Sequence, residues 1–370
     1  MEVYEEIGLK RIINGSGKMT ALGASVLNDE VAEYMGKASK EYVDMSSLID
    51  RAGKIIAKYV DAEDACVTTG AAASIAISVA GIITNGDISK IEKIPFIDED
   101  RKEIIIQKGH SVNFGAPIVQ MIGLGGGIPI EVGQANSVKT NHIEEAISEK
   151  TAALIYIKSH HCVQKGMVPL EDMIGIAKKY DIPIIVDAAA EEDLKKYIRL
   201  GADLVAYSGG KAICGPTSGF VAGKKDLIDS CKLQYKGIGR AMKVGKENIM
   251  GLLKAIDLYS QKDNKLIIEE QKRTMQRLEK EVNKLKGLKA TIAQDEAGRE
   301  IYRLKILVDE EVLGVNANYI IDKFQSGNPS IYTRNHYSNI GIIYIDPRPL
   351  KVGDDEKILE RLKEIISGLE

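Results

Sequence analysis

Residues 203–220 read DLVAYSGGKAICGPTSGF. An apolar run ends at Ser208. Two glycines, Gly209 and Gly210, then precede a single lysine, Lys211. Cys214, Gly215, Pro216, Thr217, Ser218 and Gly219 follow it. A lysine in solvent needs no such frame of small residues. A lysine set beneath a flat ligand, with backbone close by, does need one, because glycine admits close approach and unusual dihedrals.

Working outward, the same rhythm of short apolar runs and helical patterns extends from about residue 60 to 225. DACVTTG leads into AAASIAISVAGII, and EIIIQKG into HSVNFGAPIVQMIG. TAALIYIKSHH precedes PLEDMIGIAKKY, and DIPIIVDAAA precedes EEDLKKYIRLG. ADLVAYSGGK precedes SGFVAGKKDLIDSC, read here as another helical pattern. Ile- and Val-rich runs bounded by Gly, Asp or Pro suit buried parallel strands, and helices between them give a doubly wound α/β sheet. Beyond Gly245 the character changes. NIMGLLKAIDLYSQ and LIIEEQKRTMQRLEKEVNKLKGL are amphipathic helices, EIYRLKILVD and NIGIIYIDP are strands, and DDEKILERLKEIISGLE closes the chain as a helix. The expected organisation is an N-terminal segment (1–50), a large α/β domain with a mainly parallel sheet (51–240) and a smaller α+β C-terminal domain (241–370). Residues 89–103, SKIEKIPFIDEDRKE, read as an exposed insertion.

Ligands of open α/β sheets bind at the carboxyl ends of the strands. After ACV stands Thr68-Thr69-Gly70-Ala71-Ala72-Ala73, small residues that leave helix N-terminal amides open to an anion, or simply a tight turn. After EIIIQKG stands His110, and after ALIYIKS stand His160 and His161. After IPIIV stands Asp187, which could equally cap the next helix. Ser208 and Lys211 end the series. Each signal is weak alone, but their order meets the needs of pyridoxal 5′-phosphate. Thr69, Gly70, Ala71, Ala72 and the Ser208 hydroxyl serve the phosphate, and His110 supplies a flat group over the ring. Asp187 keeps the ring nitrogen protonated, and Lys211 bonds the aldehyde. Successive residues of an extended chain point opposite ways, so one histidine of the pair faces the ligand. His160 is the choice, with a buried structural histidine as the alternative.

Bulk properties narrow the class. With 50 basic and 53 acidic side chains the net charge is −3, which lacks the basic excess of a nucleic-acid binder. The four cysteines, Cys66, Cys162, Cys214 and Cys231, form no CxxC pair and suggest reduced thiols and no metal. The first residues, MEVYEEIGLKRIING, lack the apolar core of a signal peptide, and SIAISVAGIITNGD is too short to cross a bilayer. A cytoplasmic enzyme with a small-molecule substrate, and neither nucleic acid nor membrane as partner, is expected.

The motifs RIINGSGKMTALG, AEDACVTTGAAA, VDAAAEEDL, LVAYSGGKAICGPTSGFVAGKK, GRAMKVGKE and IYIDPRPL resemble, in order, the selenocysteine-synthase-like group of fold-type I pyridoxal-phosphate enzymes. INGSGKMTALG and GNPSIYTRNHYSNIGIIYIDPRPL look most like the D-glucosaminate-6-phosphate ammonia-lyases of that group. INGSGK begins at Ile13, which leaves no room for the extra N-terminal domain that engages tRNA in selenocysteine synthase. The resemblance implies a lyase that eliminates water and ammonia from a phosphorylated amino sugar acid. Lys211 would take the Cα proton. It also implies a homodimer or a multiple of one, and a C-terminal arginine for the substrate carboxylate: Arg334 or Arg348, the other serving domain packing. Lys18, Arg240, Lys243 and Lys246 are the candidates for a substrate phosphate, or else a solvated charged surface. Transferase, aldolase or racemase chemistry on the same scaffold, or a tRNA-binding or regulatory relative without catalysis, are the alternatives.

Overall fold

The computed structural model describes residues 3–159, 162–295 and 298–369. The chain divides into two compact units, Leu27–Gln261 and Met1–Val26 with Lys262–Glu370. Strand β1 (Ile12–Gly15) belongs to the second of these. The larger unit holds β2 (Asp64–Thr68), β3 (Glu103–Gln107), β4 (Ile128–Val132), β5 (Thr151–Ile157), β6 (Ile184–Asp187), β7 (Leu204–Ser208) and β8 (Gly219–Gly223).

These seven strands form one sheet in the order β2-β8-β7-β6-β5-β3-β4. β3, β4, β5, β6 and β7 are mutually parallel, whereas β8 runs antiparallel to both its neighbours. The carboxyl ends of β2, β7, β6, β5 and β3 therefore lie along one edge. Strand alternation sends residues to two separate cores. Ile105, Leu154, Ile184, Val186 and Val205 face one side, with Ile56, Leu252 and Ile256 from helices Met45–Val60 and Lys246–Ser260. Ile104, Ile106, Ile155, Ile185 and Leu204 face the other, with Ile75, Ile77 and Val79 from helix Ala71–Thr84. Burial on both faces is what makes these strands read as continuous apolar runs.

Three sequence expectations change here. Gly219–Gly223 is a strand, not the start of a helix; the helix begins only at Lys225. Segment 89–103 is not simply an exposed insertion, because Ile91, Ile94 and Ile97 are buried, the last two in the second core, although Phe96 is exposed. The limits of the large unit also differ from 51 and 240. Helices Asp29–Ser39 and Lys246–Ser260 pack on each other, and Val31, Ile249, Leu252 and Ile256 all enter the first core.

The smaller unit contains β9 (Leu288–Gln294), β10 (Tyr302–Val308), β11 (Ser330–Thr333) and β12 (Ile342–Ile345). β12, β10 and β9 form an antiparallel sheet, and β1 pairs in parallel with β11. That pairing brings the N-terminal segment into this unit. Helices Asn264–Val282, Ala317–Ser326 and Asp354–Ser367 contribute Met275, Leu278, Ile320, Phe324, Ile358 and Leu362 to its core, beside Ile13, Leu304 and Ile306.

Candidate active site

The stretch around Lys211 is a turn that leaves β7 and returns in β8. Its backbone ties itself together: Gly209 N–H donates to Ser218 O at 2.8 Å, and Gly215 N–H to Gly209 O at 2.7 Å. Cys214 adopts φ 56°, a left-handed conformation. A Cβ on Gly209 would lie 2.2 Å from Ser218 Oγ and 2.9 Å from Leu252 Cδ1. Glycine is thus required at 209 by space, not by its dihedrals. Lys211 itself is half-buried.

Asp187 ends β6 and is buried. Ala189 N–H donates to its Oδ1 at 3.0 Å. Burial pushes this carboxyl above its ordinary value; Lys211 and the Ala189 amide draw it back in part. Lys211 and Asp187, distant in sequence, are thus electrostatically coupled. A buried carboxylate whose ionised form is disfavoured is one that a further cation, such as a protonated ring nitrogen, would stabilise.

Beside them lies the turn from β2 into helix Ala71–Thr84. Its N-cap, Gly70, brings no side chain to the first-turn amides. A Cβ on Gly70 would meet nothing within 4 Å, so the space beside this helix start is open. A Cβ on Gly219 would lie 2.7 Å from Gly70 Cα and C, so the β8 backbone closes against the turn. Ser208 pairs with that same Gly219. Thr69, Gly70, Ala71 and Ala72 are half-buried, while Thr68 behind them is buried and shares a 2.8 Å hydrogen bond with Ser74. An anion at this turn meets helix N-terminal amides that no side chain caps, as a phosphate requires.

His110 follows β3 and is 0 % exposed. Burial, then the nearby Lys158 charge, lower its imidazole to about 4. Its ring meets Tyr156 edge-on at 4.6 Å, and its Nε2 is buried with no hydrogen-bond partner among the described residues. His160 lies outside the described residues. The coupled Lys211–Asp187 pair, the open Gly70 turn and the orphaned His110 donor together fit pyridoxal 5′-phosphate.

The smaller unit gathers the C-terminal arginines around Asp346. Arg348 grips this carboxylate with Nε on Oδ1 at 2.9 Å and Nη2 on Oδ2 at 2.8 Å. Arg303 Nε donates to Oδ2 at 2.8 Å, and Arg303 Nη1 to Asp295 Oδ1 at 2.7 Å. Burial would raise Asp346, but Arg348 and Arg303 outweigh it and hold the carboxyl at about 2. Gly15 O accepts from Asp346 N at 2.7 Å, and a Cβ on Gly17 would sit 3.2 Å from Asp346 Oδ2. The INGSGK loop, which carries Lys18, therefore abuts the arginine cluster. Arg334 is half-buried and has no ion pair among the described residues. Burial, followed by repulsion from Arg303, depresses its guanidinium.

The basic segment after residue 234 belongs to the larger unit. Lys246 Nζ donates to Ala38 O at 3.0 Å and Ser39 O at 2.7 Å, which engages it at the carboxyl end of helix Asp29–Ser39. Arg240, Lys243 and Lys236 line a cleft of about 940 Å³ with Tyr42 and Tyr235. Sequence reasoning missed Arg303 and Asp346, and had Gly219 only as one of the small residues after Lys211. An arginine inside the apolar strand pattern YRLKILV was the available signal for Arg303.

Among known proteins, the D-glucosaminate-6-phosphate ammonia lyase of Salmonella typhimurium is 42% identical over 363 residues, covering 98% of this chain and 97% of that protein. A 5′-C-glycyluridine monooxygenase-decarboxylase of a Streptomyces species is 40% identical over 365 residues, covering 98% and 92%. The solved structure of a D-glucosaminate-6-phosphate ammonia-lyase superposes with a TM-score of 0.94 at 41% identity, over 100% of this chain and 99% of that one. Residues 12–315 match the SelA family, described as L-seryl-tRNA selenium transferase, and the chain belongs to that family of fold-type I pyridoxal-phosphate enzymes.

Proposed function

We propose that the protein is a pyridoxal-phosphate-dependent ammonia-lyase acting on a phosphorylated amino sugar acid, with D-glucosaminate 6-phosphate as the leading substrate. The observation that carries this is end-to-end similarity to the Salmonella typhimurium ammonia lyase, at 42% identity over 98% of the chain.

The cofactor supplies an electron sink for the pair left at Cα. This chain's residues do the rest. The amides at the start of helix Ala71–Thr84, with Thr69, Gly70 and the Ser208 hydroxyl, hold the cofactor phosphate. The Asp187 carboxylate holds a proton at the ring nitrogen, and the cofactor's cation in turn favours the ionised form that burial disfavours. Lys211 Nζ anchors the cofactor and takes the Cα proton. Arg348 is engaged by Asp346, so Arg334 is the arginine left to fork onto the substrate carboxylate. Loss of the β-hydroxyl as water, followed by hydrolysis of the carbon–nitrogen bond with one water, yields ammonia and a 2-keto-3-deoxy acid; the net change is loss of ammonia. Lys18, Arg240, Lys243 and Lys246 are the candidates for the substrate phosphate; the last three line one cleft, where Lys246 also donates to Ala38 O and Ser39 O.

A second reading, oxidative decarboxylation of an amino acid, is favoured by the 40% identity to the Streptomyces monooxygenase-decarboxylase. One experiment separates the two: purified protein with D-glucosaminate 6-phosphate, monitored for ammonia, 2-keto acid, oxygen uptake and carbon dioxide. Equal amounts of ammonia and keto acid without oxygen uptake support the lyase. Oxygen consumption with carbon dioxide release supports the alternative. The assembly proposed is a homodimer or a multiple of one, checked by light scattering; a catalytically competent monomer contradicts it. No helix among the described residues is long and apolar enough to cross a membrane.

A further inference from the structure

The buried edge of His110 carries a polar atom to which the proposed function assigns no role. Ile157 N–H donates to His110 Nδ1 at 3.3 Å. A nitrogen that accepts a hydrogen bond carries its lone pair there, so in the neutral ring the proton sits on Nε2. Nε2 is buried and has no hydrogen-bond partner among the described residues. Buried donors are almost always paired, and an orphan asks for an explanation.

The surroundings keep the ring neutral. Tyr156 meets it edge-on at 4.6 Å, and burial pushes the Tyr156 phenol up to about 12. Cys162 Sγ reaches the His110 carbonyl at 4.0 Å, and burial likewise pushes that thiol up to about 12. Among the groups whose charge is felt at the ring, Lys158 disfavours a second proton, as burial does. The ring is buried, at 0 % exposure.

We propose that His110 is held as the neutral Nε2–H tautomer and donates that hydrogen to an acceptor atom of the ligand that fills the strand-end site. This rests on the cofactor reading above. The ligand atom is an oxygen or nitrogen of the pyridoxal phosphate, either on its ring or on its phosphate. An arriving acceptor removes the penalty of an unpaired buried donor, worth about ten- to a hundredfold in binding.

The test uses intact protein labelled with ¹⁵N at its five histidines, with the His110 signals assigned by comparison with His110→Gln. Long-range ¹H–¹⁵N spectra are recorded without ligand, with inorganic phosphate, and with pyridoxal phosphate. The expected result is a protonated Nε2 in all three, with its proton moving downfield when pyridoxal phosphate is added. A shift with phosphate alone also supports the proposal and identifies the acceptor as a phosphate oxygen; a shift only with the whole cofactor identifies a ring atom. A proton on Nδ1, or an Nε2 proton unmoved by bound cofactor, overturns it. Failure of the cofactor reading shows separately, as no cofactor attached at Lys211. Two variants add a second readout. Glutamine keeps an N–H donor near the Nε2 position, and phenylalanine keeps a flat ring with no donor. His110→Phe should weaken cofactor binding about ten- to a hundredfold, and His110→Gln about threefold or less. The reverse order overturns the proposal, and the wild-type spectra decide the matter if either variant fails to fold.

Discussion

Replacing Gly209 with alanine would place a methyl 2.2 Å from Ser218 Oγ, 2.9 Å from Leu252 Cδ1 and 3.1 Å from Ser218 O. None of these neighbours is free to give way. Ser218 Oγ donates to Pro216 O at 2.8 Å, Ser218 O accepts from Gly209 N, and Leu252 is 0 % exposed in the first core. Overpacking of this kind costs about 1–3 kcal/mol, and loss of the serine hydrogen bond adds about 1 kcal/mol, for a total of about 2–4 kcal/mol. Urea unfolding should therefore show a lowered midpoint with an unchanged slope. Lys211 lies two residues on, and a displacement of about 1 Å there should cut turnover roughly a hundredfold. Adding Ser218→Gly removes the nearest obstacle, so the double mutant should recover about 1 kcal/mol or more relative to additive losses. A Gly209→Ala protein with wild-type stability and turnover would refute the claim that close backbone approach is what the small residues around Lys211 provide.

Asp187→Asn should lower turnover about a hundredfold or more without destabilising the cofactor-free protein at neutral pH, since burial already disfavours the carboxylate; turnover near wild type would leave Asp187 as no more than a loop cap. Arg334→Gln should lose turnover with little change in stability. Arg348→Gln should cost about 3 kcal/mol of stability by stripping a partner from the buried Asp346, and chemical unfolding of both variants checks the contrast. His110 contributes a pH dependence. Its folded value, about 4, lies below the ordinary 6.5, so the unfolded chain binds more protons between them. The contribution is present above pH 6.5 and is lost as pH falls to 4, about 3 kcal/mol at roughly 1.4 kcal/mol per unit. Unfolding free energies measured between pH 7 and 4 should fall less steeply in His110→Gln; identical slopes contradict the assignment.

Much of the candidate site's edge was legible because each strand is short, apolar and buried on both faces, so its polar terminator stands out. Asp187 after IPIIV and Lys211 after ADLVAYSGG are both found where that pattern puts them. β8 was not legible, because FVA between two glycines is too short to declare a strand, and its antiparallel place between β2 and β7 is decided by tertiary pairing alone. Nor could sequence divide the arginines. Arg334 and Arg348 look alike until Asp346, 0 % exposed, is seen engaging one of them. Lys246 read as one more cation in a basic segment, yet it bonds Ala38 and Ser39, more than 200 residues earlier. The helix Lys246–Ser260 was assigned to the wrong side of the domain division for a related reason: an amphipathic face does not reveal which core it will enter.

The central claim is that Lys211, framed by Gly209, Gly215 and Gly219, is the residue that holds the cofactor. Borohydride reduction of the protein after incubation with pyridoxal phosphate, followed by peptide mapping, tests it directly. The account predicts one pyridoxyl group per chain, on Lys211, and none in Lys211→Ala. A label on any other lysine, or no stable label on the wild type, would contradict it.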